Sequence, residues 1–385
     1  MIEINLFGLP DIHFAERDAE TIKTAVVSGY EKAYHEATGE KITLYPGDPR
    51  RLFLLGIADV IILQRNIIDW TGKQNLLAYA AEDRLDHLGL LLGVRRLPAQ
   101  HSLTTMRFTL SAPQLSAIII PSGTRVTPEG TQAYFATTET TTIAAGEFYG
   151  DAPAEALSSG AEANGLLPGQ INRLVDPLPY VGSAANITVS SGGSGVENDE
   201  NLRERVRLAP ESFSVAGARG AYEFWARTAH QSIVDVGILG PPDTEPGHVE
   251  IYPLLMGGEL PTRDILDLVY STCSAEDIRP LTDYVHVFSP LEVPYDLQVT
   301  YRIDRSRATQ VIAIQAAVTE AVNAWINWQR SKLGRDINPS ELNHLMVAAG
   351  AKRAEIVSPA FTILTRAQVA VQNSASVIFG GLEDG

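Results

Sequence analysis

Apolar residues recur at helical spacing through the first quarter of the chain. Glu16–Ala37 reads as one amphipathic helix and Pro49–Trp70 as a second, with Pro49 suited to a first turn. In the second helix Leu54, Ile57, Ile61 and Ile68 mark one stripe, while Leu52, Phe53, Leu55, Val60 and Ile62 occupy the other sides. A helix that is apolar nearly all round must be covered on most faces. Two coverings are open: a bundle made by this chain alone, with this helix at its centre, or a bundle completed by partner helices. A third helical pattern, Asn75–Gly93, ends at Gly93 as a C-cap.

From Leu103 to Val189 the period shortens to two. Met106, Phe108 and Leu110 alternate with polar residues, as a half-buried strand requires. "AIIIPSGTRVTPEG" reads as strand, turn, strand, with Pro121-Ser122-Gly123 at the turn. "QAYFATTETTTI" is rich in Thr and aromatics and suits a strand or hairpin. This stretch predicts a small all-β domain of sandwich type. Asp151–Pro179, rich in Gly, Pro and Asn, reads as an extended loop.

Beyond Asn198 the two periods mix. Helices are predicted at Asp199–Ala209, Ala218–Ala229, Thr262–Ser274, Arg307–Lys332 and Pro339–Ala348. Strands are predicted at Ile233–Leu239, Val249–Leu254, Val285–Phe288 and Val293–Ile303. The order suggests two small α+β domains in tandem, each with helices on one face of an antiparallel sheet. The fold class is therefore multidomain α+β, in four parts: an N-terminal helical region over 1–101, a central β domain over 102–195, and α+β domains over 196–290 and 291–385. Within the last part "NPSELNHL" carries a full helix start, with Asn338 as N-cap, Pro339 at the first position and Glu341 at the third.

Composition narrows the function. The chain has 385 residues, 45% of them apolar, and a formal charge of −16. Such an acidic chain repels nucleic acid and anionic membranes unless one face is basic, and no Lys/Arg block supplies one. Cys273 is the only cysteine, which excludes an intrachain disulfide and a cysteine zinc site. "MIEINLFGLPD" lacks the pattern of a secretory signal, and "LFLLGIADVIIL" is too short to span a bilayer. A soluble protein made in a reducing cytoplasm, with no membrane insertion, is expected.

The stretch most suggestive of chemistry is "SSGGSGVENDENLRERV", Ser190–Val206. Its glycines, Gly192, Gly193 and Gly195, are followed by Glu197, Asp199, Glu200 and Glu204, and no lysine completes a phosphate loop. The acids do not have EF-hand spacing. Acids in a first turn complement the helix dipole, Asp199 can pair with Arg203 one turn on, and the glycines let the chain turn before the cap. The run therefore reads as a hinge leading into a capped helix. No histidine pair has zinc-protease spacing, and no G-x-S-x-G elbow occurs. Asp83 and His87 lie one turn apart on what reads as a solvated helix face. Tyr222 and Trp225, three apart, could form an interface anchor. No catalytic residue, metal site or cofactor is predicted, and the chain is read as a non-enzyme.

Read straight through, "ENDENLRERVRLAPESFSVAGARGAYEFWARTAHQSIVDVGILGP" resembles the baseplate J-like proteins of contractile phage tails and related injection machines. "QNLLAYAAEDRLDHLGLLLGVRRLPA" is similar to the family's N-terminal helix-and-turn segment, although Glu82-Asp83 stand where a glycine is usual. "IIIPSGTRVTPEGTQAYFATTETTTIAAGE" is similar to the opening of its central β domain. "EDIRPLTDYVHVFSPLEVPYDLQVTY" is similar to the junction of its two C-terminal domains and contains Arg279 and Asp283, taken here as interface candidates. After Ala351 the likeness fades. The resemblance implies a structural wedge subunit of a virion tail baseplate. Its partners would be a second copy of itself, a second wedge protein, the hub and spike, and the proteins that start the sheath. The alternative is a carbohydrate-binding or carbohydrate-cleaving tail component, with Phe135, Tyr134 and Phe148 of the β domain as stacking candidates. A calcium-stabilised scaffold is a further rival.

Overall fold

The computed structural model describes residues 8–130, 133–213 and 217–384. The chain divides after Arg95 into two compact units. The first holds helices α1 (Ala19–Thr38), α2 (Pro49–Lys73) and α3 (Glu82–Leu91). Asp18 caps α1 by accepting from the Thr21 N–H at 2.7 Å, and Gly39 ends it at φ 76°. Asp48 caps α2, with Pro49 in the first turn as expected. The third helix is shorter than its sequence pattern. Residues 75–81 form turns, and α3 starts only at Glu82, which adopts φ 51°. A side chain in that left-handed conformation costs about 1 kcal/mol. Gly93, at φ 73°, follows the helix end as a C-cap glycine should.

The core of this unit is small: Ile22, Val27, Leu44, Ala58, Ala80, Leu85 and Val94. Among the described residues of this unit the one buried acid, Asp69, ties down the segment that precedes α1. The carboxylate accepts from the Phe14 N–H at 2.8 Å and pairs with Arg17 at 3.2 Å and Lys73 at 3.5 Å. The Phe14 N–H first, and then the two cations, hold its pKa below the usual carboxylate value.

The second unit opens with eight strands: β1 (His101–Leu110), β2 (Ile118–Ile120), β3 (Arg125–Pro128), β4 (Phe135–Thr137), β5 (Thr141–Ile143), β6 (Tyr149–Ser159), β7 (Ile171–Leu174) and β8 (Val181–Asn186). Six form one sheet in the order β7-β3-β4-β6-β1-β8, and β2 pairs with β5. The sandwich expected from sequence is corrected to a near-barrel. The sheet curls until its edges meet, and the buried Asn186 side chain accepts from the Ile171 N–H at 2.9 Å across the gap. The core is Met106, Phe108 and Leu110 from β1, Ile120, Val126, Phe135, Ile143 and Ile171, with Ala152, Ala154 and Ala156 from β6. The extended loop expected over Asp151–Pro179 is also corrected. Most of β6 lies there, its alternation written in alanines.

Then come α4 (Asp199–Leu208), α5 (Arg219–Ala229), β9 (Ile233–Leu239), β10 (His248–Leu255), α6 (Arg263–Cys273) and β11 (Tyr284–Val287). The sheet order is β11-β10-β9. β9 runs antiparallel to β10, but β11 runs parallel to it, so the sheet is mixed and not antiparallel as expected. The last module repeats that character with β12 (Leu291–Asp304), α7 (Val311–Arg330), α8 (Pro339–Ala348), β13 (Arg353–Ser358) and β14 (Gln368–Glu383), in the order β13-β12-β14 with β14 parallel to β12. Ile314, Val318, Val322 and Trp325 of α7 bury one stripe against Leu297, Val299 and Tyr301 of β12. Asn338 caps α8 by accepting from the Ser340 N–H at 3.0 Å.

Candidate interaction surfaces

Helix α2 buries little of its apolar surface. Only Ala58 and Asp69 are fully buried along its 25 residues. Leu54 and Ile61 are half-buried, and Ile57 and Ile68 are exposed. Phe53 is 70% exposed and Leu63 61%, with Leu52, Val60 and Ile67 exposed beside them. Among the described residues of the first unit, this face of α2 is left uncovered. Leu52, Phe53, Gly56, Ile57, Val60 and Ile61 line a shallow apolar groove. Gly56 sits inside the helix with open space where a Cβ would be. A mid-helix glycine costs about 1 kcal/mol against alanine. An exposed apolar face of this kind is a candidate interaction surface.

The four candidates in the first α+β module fare differently. Tyr222 is corrected. It is buried in the module's own core, and its hydroxyl donates to Asp283 at 2.9 Å. Its helical spacing with Trp225 was read rightly, but the shared face turns toward the sheet. Burial, then the Asp283 acceptor, raises the Tyr222 pKa well above the usual phenol value. Trp225 is half-buried, edge-on to Phe224 with ring centres 5.1 Å apart. Arg279 donates to the carbonyls of Ser274 and Asp283, each at 3.0 Å. Tyr222, Arg279 and Asp283 thus form one bracket that holds the α6–β11 connection against α5. Cys273 lies in the same core, where burial pushes its thiol up to about 12. A disulfide reagent is therefore expected to leave the native chain unlabelled and to react once urea unfolds it. Rapid native labelling would place Cys273 in a mobile segment.

The glycine run is fastened on several sides. The Gly193 N–H donates to the Asn164 side chain at 2.9 Å, and Asn164 donates back to the Gly193 carbonyl at 2.8 Å. His230 contacts the Gly192 carbonyl at 3.1 Å, and Gln231 donates to Ser194 and to the Gly195 carbonyl. Gly192 takes φ 83°, and a Cβ on Gly193 would lie 2.3 Å from the Gly160 carbonyl. Hinge motion here would first have to break these bonds.

Asn198 caps α4 through the Asn201 N–H at 2.8 Å, so a helix start is what the acidic run encodes. Asp199 pairs with Arg96 at 2.7 Å, a partner about a hundred residues away. Glu197, read as one more helix-end acid, is fully buried and pairs with Arg205 at 2.7 Å. Among the described residues no group of three or more His, Cys, Asp and Glu side chains could hold a metal ion. No helix among them is long and apolar enough to cross a membrane. Of the carbohydrate-stacking candidates Phe135 is fully buried in the barrel core, while Tyr134 and Phe148 are about half exposed.

These observations define a multidomain α+β protein with a helical unit, a near-barrel and two mixed-sheet modules, and with exposed apolar surface on α2. Three family models match in order: the Baseplate J-like protein barrel domain over residues 105–193, the central domain over 214–289 and the C-terminal domain over 297–378. The chain belongs to the baseplate J-like family. The C-terminal match runs well past Ala351, where the sequence likeness alone faded. Baseplate protein J of Escherichia phage P2 is 29% identical over 203 residues, 52% of this chain and 65% of that protein. A chain in a cryo-electron structure of the anti-feeding prophage baseplate, six-fold symmetrised, is 13% identical with a TM-score of 0.42, over 92% of this chain and 90% of that one.

Proposed function

We propose that this chain is a structural wedge subunit of a contractile-tail baseplate. It works in paired copies with a second wedge protein around the hub, and supports sheath assembly and contraction. Family membership supports the setting. The observation that carries the mechanism is the uncovered apolar face of α2, whose notch at Gly56 admits the close approach of another helix. Apolar stripes of this kind interlock as knobs into holes when two or more helices bundle. The alternative carbohydrate reading loses Phe135 to the barrel core.

The test is assembly of the full chain with and without the other baseplate proteins, followed by sedimentation and electron microscopy. The wild-type chain is expected to associate. A Phe53→Glu/Ile57→Glu variant should weaken association at least about tenfold, because charges placed in an apolar contact must be desolvated. The fold should survive, since both side chains are already exposed. A wild-type chain that stays monomeric with every partner, or a variant that assembles equally well, would overturn the proposal.

A further inference from the structure

Asn164 and Gly165 form the one Asn-Gly pair in the sequence. Such a pair is chemically labile. The Gly165 nitrogen can attack the side-chain carbon of Asn164, because glycine puts no side chain in the way. A bond forms between that nitrogen and that carbon, and the bond from the carbon to the amide nitrogen breaks. Ammonia leaves with the Gly165 proton, and a five-membered imide ring remains. Water then opens the ring at either carbonyl, which gives aspartate or its β-linked isomer. One water is consumed and one ammonia released, and nothing is oxidised or reduced.

We infer that Asn164 is a deamidation site guarded by the run Ser190–Gly195, and that its modification unfastens that run. Exposure is not the guard, since Gly165 is exposed and Asn164 only half-buried. The guard is geometric. The Gly165 N–H, which must attack, donates to the Ser190 carbonyl at 2.8 Å. The Asn164 amide is held at both ends: its oxygen accepts from the Gly193 N–H at 2.9 Å, and its nitrogen donates to the Gly193 carbonyl at 2.8 Å. The Asn164 backbone is extended, at φ −77° and ψ 159°, and must rotate before nitrogen and carbon can meet.

Site and guard depend on each other. The groups that restrain Asn164 and Gly165 belong to Ser190 and Gly193, both within the run. That run borders a cleft of about 550 Å³, so it has space to move into once its bonds are broken. In a copy whose run has moved, the amide turns freely and the ring can close. The product then alters the fastening. Aspartate has no N–H to offer the Gly193 carbonyl, and its carboxylate sets an oxygen against that oxygen. The β-linked isomer adds a carbon to the main chain and shifts Gly165 away from Ser190. His230 and Gln231 still hold the other flank, so the loosening is local. Modification is thus a one-way step that keeps an opened run open.

Peptide mapping of the full chain by mass spectrometry tests the guard, at neutral pH, with the same chain unfolded in urea as reference. Asn164 should convert at least about tenfold more slowly in the folded chain, because the closed state must open first. Equal rates would overturn the guard. Hydrogen exchange tests the consequence. In Asn164→Asp, the reaction's own product, exchange at Gly192–Gly195 should rise about tenfold, with β6 and α5 unchanged. Asn164→Ala removes the same bonds without adding charge and should show a rise at the same amides, which covers the case of one variant misfolding. Exchange at the run equal to wild type in both variants, or a rise spread over the whole barrel, would overturn the link between Asn164 and the run.

Discussion

Arg205→Met should destabilise the protein by about 3–5 kcal/mol, the cost of leaving a buried charge without its partner. The charge left behind is Glu197, whose side chain is wholly inaccessible to solvent. One of its oxygens accepts from Arg205 and from the Leu97 N–H at 2.9 Å, and the other has no hydrogen-bond partner among the described residues. Burial raises the Glu197 pKa in spite of Arg205, and burial likewise lowers the Arg205 value in spite of Glu197. Each group therefore loses more by leaving water than it regains from the pair.

That imbalance predicts the outcome of a double-mutant cycle. Glu197→Leu/Arg205→Met, which removes both charges and leaves apolar volume, should recover most of the loss or exceed the wild type. The pH dependence has a definite sign. A carboxyl raised on folding favours the folded state below its unfolded value near about 4, and that contribution is lost as pH rises through the folded value. The penalty of Arg205→Met should thus be larger at neutral pH than near about pH 4, where Glu197 can take a proton. Urea melts at the two pH values read both effects. A single variant no less stable than wild type at neutral pH would show that the pair is hydrated.

What the sequence revealed follows from how far each interaction reaches along the chain. Helix α7 and the Asn338-Pro339 helix start are local, and both were legible at a spacing of a few residues. Strand β6 was missed because Ala152, Ala154 and Ala156 carry the inward positions. Alanine has weak strand preference, and only packing inside a tight barrel makes it the right size. Glu197 was misread because its neighbours in sequence are solvated acids, while Arg205 and Leu97 lie 8 and 100 residues away. The exposed face of α2 was half legible. Its apolar content was plain, but a sequence cannot say whether a greasy helix is covered by its own chain.

Gly237→Val should cost about 3 kcal/mol and split one unfolding transition into two. Gly237 lies on β9, and a Cβ there would sit 1.9 Å from the Arg366 carbonyl oxygen, in the connection before β14. Backbone on both sides leaves nothing flexible to give way. Around this contact the two mixed-sheet modules share one core, formed by Tyr252 and Leu254 of β10 with Leu333, Ala367 and Val369. Polar ties flank it: the Leu333 N–H donates to Asp235 at 2.8 Å, and Arg330 donates to the Gly258 carbonyl at 3.1 Å. A shared core predicts that the two modules move as one body, so a hinge between them is not expected. Gly240→Ala, three residues on with open space around it, serves as a control and should change stability by less than about 0.5 kcal/mol. Calorimetry of the full chain distinguishes the cases. If Gly237→Val melts in one step at the wild-type midpoint, the modules are not joined through this contact and the junction is free to bend.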